Sequence, residues 1–319
     1  MDRSIDSRRG FLQAVIAGGI TSATGTLTAQ EHSPLIRSIT RATVSRNRDG
    51  MGETWFHPRA CVIPNAGHGG NALMTMQWIR GSDYFGPVQW SSTDDGGTTW
   101  SEPAPIEALG RIQVEGHPGL EAGVCDVVPE YHAPTRSVLA LGHVVFYRGP
   151  RFDHRDQLAR YPVYSVRGED GQWSERRRLE WEDPRGAFIY TNNCGQRVVL
   201  DDGDIAMAFS FGAESRSRGI AGVRCTFDGT ALRIAQVGRE LKLAAGRGLL
   251  EPSVTRFGGR FLMTIRAEDG HGYVATSRDG VDYDQMQQWC WEDGSAIGMS
   301  TTQQHWMTHS DPLFLVYTR

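Results

Sequence analysis

The chain has 319 residues, enough to bury one large core or two smaller ones. Hydrophobic residues make up 39% and charged residues 22%, and the net charge of −4 excludes an electrostatic case for nucleic acid or an anionic membrane as partner. The 38 glycines and nine tryptophans point to many tight turns between short strands rich in aromatic residues.

The first segment, residues 1–29, combines basic Arg3, Arg8 and Arg9 with a short apolar run from Phe11 to Ile20 and small residues up to Ala29. It is too short for a stable membrane span and has the make-up of an export signal. Ser7-Arg8-Arg9-Gly10-Phe11-Leu12 resembles the bacterial twin-arginine motif, which implies export of a folded protein, periplasmic or extracellular. An ordinary secretory signal with a chance Arg pair is the alternative. No later apolar run approaches the roughly 20 residues that a span needs, so no membrane contact is expected after signal removal.

From there the chain repeats a strand–turn–strand unit. The copies are "RACVIPNAGHGGNALMTMQ", "CDVVPEYHAPTRSVLALGH", "QRVVLDDGDIAMAFS" and "PSVTRFGGRFLMTIR". A further strand and an Asp-Gly turn follow each one. The fullest turn is "TDDGGTTW", Thr93 to Trp100; "SRDGVDY", Ser277 to Tyr283, is a shortened echo. "EDGQWS" and "TFDGT" are weaker ones. Four strands per repeat of roughly 50 to 70 residues is the signature of a β-propeller blade. No amphipathic helical pattern follows the signal, so residues 30–319 read as one all-β propeller domain.

Thr93 to Trp100 resembles the Asp-box (BNR repeat) of the sialidase, or neuraminidase, superfamily. That resemblance implies a six-bladed propeller, with the motif on its outer rim and the Trp packed between blades. It also implies a site in which three arginines clamp a substrate carboxylate, an Asp is acid and base, and a Glu activates a nucleophilic Tyr. "GLLEPSVTRFGGRFLMTIR" resembles the family segment that holds this Glu and one clamp Arg, giving Glu251 and Arg266. A structural ion pair across the hairpin is the alternative. "FHPRACVIP" resembles the first clamp motif and gives Arg59, although Pro64 stands further away than the family pattern has it. Asp83, in the Gly-flanked loop "IRGSDYFG", takes the place of the acid/base.

The pattern then stops. No good third Arg is evident after Arg266, and Tyr317, the late tyrosine, falls within the expected strand Leu313 to Arg319. The expectation is a propeller left incomplete at its C-terminus, or a smaller one with altered chemistry. His57 and His305, expected to bind substrate, and His117, His132, His143 and His271 lie at strand ends or in loops, which keeps a His-based chemistry open. The cysteines Cys61, Cys125, Cys194, Cys225 and Cys290 show no metal spacing, and no metal or cofactor is expected.

The function that follows is an exported, exo-acting, sialidase-like glycoside hydrolase on an acidic glycan, working as a monomer. The rivals are a propeller enzyme on another acidic polysaccharide with His acid/base chemistry, and a non-catalytic glycan-binding propeller. The export reading has its own test. Replacing Arg8 and Arg9 together by Lys should leave the protein in the cytoplasm, and unchanged appearance of mature protein beginning near residue 30 would exclude a receptor-read signal.

Overall fold

The computed structural model describes residues 41, 43–46, 52–64, 70–81, 83–192, 195–298, 302–308 and 311–317. The expected signal, residues 1–29, and Cys194 lie outside the described residues. Within them, the chain forms four antiparallel blades and a two-stranded hairpin. The first blade holds β1 (Glu53–Ile63), β2 (Asn71–Arg80), β3 (Tyr84–Phe85), β4 (Gln89–Thr93) and β5 (Ala104–Pro105). The second holds β6 (Ile112–Gln113), β7 (Glu121–His132), β8 (Ser137–Tyr147), β9 (Pro162–Arg167) and β10 (Arg177–Arg178). The third holds β11 (Ile189–Thr191), β12 (Val198–Val199), β13 (Ile205–Gly212), β14 (Gly219–Phe227) and β15 (Leu232–Val237). The fourth holds β16 (Leu250–Phe257), β17 (Arg260–Arg266), β18 (Gly272–Ser277) and β19 (Gln287–Gln288), and the hairpin holds β20 (His305–Thr308) and β21 (Leu313–Val316).

The all-β propeller arrangement agrees with the sequence reading, and the blade number does not. First strands begin at residues 53, 121, 189, 250 and 305, so the described residues hold four blades and the hairpin, not six blades. The helices among the described residues are four three-residue 3-10 turns.

The core lies in the seams between neighbouring blades. Leu139, Leu141 and Tyr164 of the second blade pack on Met207, Phe209 and Val223 of the third. Ala206, Ala208 and Ile220 of the third meet Val254, Met263 and Tyr283 of the fourth. Second strands such as β8 and β13 are covered on both faces, which is why they read as continuous apolar runs without alternation. Each fully buried Leu or Phe here contributes about 1.5–3 kcal/mol. Arg197 staples two blades: its guanidinium is buried and donates to the carbonyls of Val128 and Leu139. At the other end of the chain, Arg59 in β1 donates to Gln303 Oε1 at 2.6 Å, so the first blade touches the segment that opens the final hairpin.

The Asp-box turn closes on itself. Asp95 accepts from the Thr99 amide and hydroxyl and from the Thr93 hydroxyl, and the Gly97 amide donates back to Thr93 Oγ1. In the shortened copy Ser277 and Asp279 repeat the pattern. Both turns join the two outer strands of a blade. The aromatic residue behaves differently in the two copies. The half-buried Trp100 bends onto its own turn, its indole N–H donating to Gly97 O, whereas Tyr283 fills the seam between the third and fourth blades. Gly222 makes room for that ring, since a Cβ there would sit 2.7 Å from it.

The Thr99 and Thr93 donors hold Asp95 down at about 2. A carboxylate with a depressed pKa stabilises the fold above its ordinary value of about 4, and the gain disappears as pH falls toward 2. Asp95→Asn should therefore lower the Tm at pH 7 and lose the difference from wild type below pH 3. A Tm gap that persists unchanged at pH 2 would show that the turn does not depend on the charge.

Candidate active site

One irregularity recurs in the innermost strands. Pairing slips between Phe56 and Arg59 in β1, between Cys125 and Val128 in β7, and between Leu250 and Ser253 in β16. At each slip two residues oppose one, which is a β-bulge. The first bulged residue is His57, Asp126 or Glu251, with φ of 50°, 57° and 49°. Non-glycine residues seldom adopt this left-handed conformation, and its cost is of order 1–3 kcal/mol. Pro58 and Pro252 are the second residues of two of the bulges and remove an N–H that would lack a ladder partner. Opposite the third, Gly142 is required, since a Cβ would lie 2.6 Å from the Cys125 carbonyl.

The three bulges send their side chains into one cavity of about 620 Å³. Arg59, Asp83, Glu251, Arg266, His57 and His305 all line it. The sequence reading thus brings together six residues from the first blade, the fourth blade and the hairpin. Asp83 is exposed, in the loop between β2 and β3, and has a left-handed φ of 56°. Tyr147 fixes that loop by donating from its hydroxyl to Asp83 O at 3.1 Å.

Arg266 Nη1 donates to Glu251 Oε1 at 2.5 Å, and both side chains are largely covered. The hairpin ion pair therefore exists, and it faces the cavity. The Glu251 Oε2 and Arg266 Nε atoms are buried without a hydrogen-bond partner among the described residues. Burial pushes the Glu251 pKa up, against the pull of Arg266. His305 is drawn down to about 3 by burial and by Arg59 and His57, and His143 to about 4 by burial. Both imidazoles are neutral at pH 7, so they can accept or donate a hydrogen bond but bring no charge.

The second blade carries a copy of the Glu251–Arg266 arrangement that the sequence reading missed. Leu250 pairs with Arg266 in the fourth blade, and Cys125 pairs with His143 in the second. Asp126 and His143 thus occupy the positions of Glu251 and Arg266. Asp126 Oδ1 lies 2.6 Å from His57 Nδ1, and its Oδ2 lies 3.8 Å from His143 Nε2. The signal was present in "CDVVPEYHAPTRSVLALGH", whose acid and final His match the ends of the fourth-blade unit. Arg160, Arg218 and Arg247 also line the cavity and were missed, because each lies outside the strand–turn–strand units. Tyr317 lines it as well, just past the end of β21 and not within the strand as expected.

Donor atoms of Cys125, Asp126 and His143 lie within 4.8 Å of one another, and these three residues could hold a metal ion. Cys61, Cys125, Cys225 and Cys290 are free thiols, the first three buried.

No family model and no curated protein matches this sequence. Solved structures do. A Hadza microbial sialidase superposes with a TM-score of 0.58 at 15% identity, over 80% of this chain and 50% of that one. A protein of unknown function from Dyadobacter fermentans gives 0.59 at 17%, over 86% and 77%. Trypanosoma rangeli sialidase in complex with sialic acid gives 0.55 at 12%, over 82% and 42%. The chain thus has a sialidase-like β-propeller fold and spans about half the length of these sialidases or less.

Arg266→Met leaves the Glu251 carboxylate covered and without its counter-ion. The loss should be about 3 kcal/mol in urea unfolding, the low end for breaking a buried pair. Adding Glu251→Gln should recover most of it; a double variant no more stable than the single one would mean that the pair is not coupled.

Proposed function

We propose that the protein is an exported, exo-acting glycoside hydrolase with sialidase-like chemistry on a sugar bearing a carboxylate. The observation that carries this reading is the meeting of Arg59, Arg266, Asp83 and Glu251 in one cavity. Arg59 and Arg266 present planar forks suited to a carboxylate. A ligand carboxylate competes with Gln303 for Arg59 and with Glu251 for Arg266. Asp83, on its exposed loop, protonates the leaving-group oxygen and later accepts a proton from water. Glu251, kept by burial above the ordinary carboxylate range, accepts the proton of the nucleophile. Tyr317 is the tyrosine in the cavity and takes the nucleophile's role, which would make the enzyme a Tyr-type exception to the two-carboxylate glycosidases. A carbohydrate ligand agrees with the T. rangeli neighbour, which holds sialic acid.

The short His57–Asp126 contact favours a second reading. In it Asp126 orients His57, which withdraws a proton from water or from the substrate, and no covalent intermediate forms.

A panel of chromogenic sialosides and uronides on the purified protein tests both. Turnover is expected on at least one. Asp83→Ala should lower kcat by roughly 10²–10⁴-fold with little loss of binding. Loss of activity in Tyr317→Phe with His57→Asn active supports the first reading, and the reverse supports the second. Glycan binding without turnover would leave a binding propeller.

A further inference from the structure

Arg218 is an anomaly within the cavity. It is only 7% exposed, yet no carboxylate among the described residues lies within ion-pair distance of it. The hydrogen bond its guanidinium makes is from Nε to the Ser215 carbonyl at 3.0 Å. A desolvated guanidinium without a counter-ion is costly, and natural folds seldom keep one without a use for it. The backbone holds it there deliberately close. Arg218 pairs with Gly248, whose φ of 86° and missing Cβ permit an approach at which a Cβ would be 2.1 Å from the Arg218 carbonyl.

Arg160, half-buried and lying over the Phe152 ring, is a second cation lining the cavity. It stands two residues before β9, as Arg218 stands one before β14, and its carbonyl is tied to the Tyr190 amide of the next blade. Its Nη2 donates to Gln157 Oε1 at 3.0 Å, and it too has no carboxylate partner among the described residues. Burial, with repulsion from Arg160 and Arg247, draws Arg218 down to about 10 against the more distant pull of Glu251 and Glu268. By contrast, Arg247 is neutralised by Glu268, and Arg266 by Glu251. The excess positive charge on this side of the cavity therefore belongs to Arg218 and Arg160.

We infer that Arg218 and Arg160 form a second oxyanion subsite, distinct from the Arg266–Glu251 corner, and that the substrate is a sugar bearing two anionic groups. This deepens the proposed function and rests on the cavity being its substrate site. One group, the carboxylate, meets Arg59 and Arg266. The other, a sulfate ester or a second carboxylate on the same glycan, meets Arg218 and Arg160. A cavity of about 620 Å³ has room for a sugar with both.

Calorimetric titration of the full-length protein tests this, with inorganic sulfate as one probe and N-acetylneuraminate, a single carboxylate, as the other. Sulfate should bind one to one, weaken at least tenfold in Arg218→Met and in Arg160→Gln, and stay within twofold of wild type in Arg266→Gln. N-acetylneuraminate should show the opposite dependence and bind in the presence of saturating sulfate. In anion-free buffer Arg218→Met should also raise the Tm, because an uncompensated buried charge is gone. No sulfate binding, equal loss in Arg266→Gln, or a lower Tm for Arg218→Met would overturn the subsite and make Arg218 a structural residue. Sulfate binding that depends on Arg218, without any N-acetylneuraminate binding, would keep the subsite and defeat the sialidase-like reading instead.

Discussion

The site depends on a two-for-one slip in the innermost strand of a blade. A regular strand alternates its side chains between the two faces of the sheet, and in β7 and β16 the seams between blades take most of both. Nothing would be left to aim along the channel. Inserting one residue with a left-handed φ breaks the alternation once and turns His57, Asp126 or Glu251 toward the common axis. The strain of the three bulges is of order a few kcal/mol in total. The seams, with Leu139, Phe209, Met263 and their neighbours fully buried, offset it many times over. The rigidity of the core is what keeps strained residues in place.

The same device explains why the chemistry differs between blades while the frame does not. The residue paired just before each bulge, across from Phe56, Cys125 or Leu250, is Gln77, His143 or Arg266. In the first blade Gln77 turns away, and its amide nitrogen donates to the carbonyls of Gly86 and Val124 in the seam. In the second, His143 remains beside Asp126, buried and neutral. In the fourth, Arg266 is paired with Glu251. A single backbone plan thus yields a structural amide, a neutral imidazole and an ion pair.

Much of this was legible in the sequence, and for identifiable reasons. The Asp-Gly turns carry their own hydrogen-bond chemistry within seven or eight residues, so their spacing exposed the blades. Glu251 and Arg266 sit at the two ends of one hairpin, where local register brings them together. Asp126 escaped notice because Val127 follows it where Pro58 and Pro252 follow the other two, and the bulge has no other local mark. Arg160 and Arg218 escaped because their importance lies in what is absent around them, namely a carboxylate, and that is a property of assembled blades. Trp100 and Tyr283 occupy equivalent places in the motif, yet only Tyr283 enters a seam, because the neighbouring blade offers it the space left by Gly222.

The distribution of the prolines has a bearing on how the chain avoids self-association while it folds. β1 and β16 are terminal in their sheets, so each turns toward the channel a row of amides and carbonyls that no strand of its own sheet pairs with, although Gln196 and Trp306 bond part of the β16 row. Such edges invite pairing with a second unfinished chain. Pro58 and Pro252 each delete one donor at the centre of that row, and the bulge tilts the remainder out of line. β7, whose bulge holds no proline, has its edge partly occupied by β6. The residues that break the ladder for chemistry are thus also those that stop a half-formed propeller from growing into an aggregate.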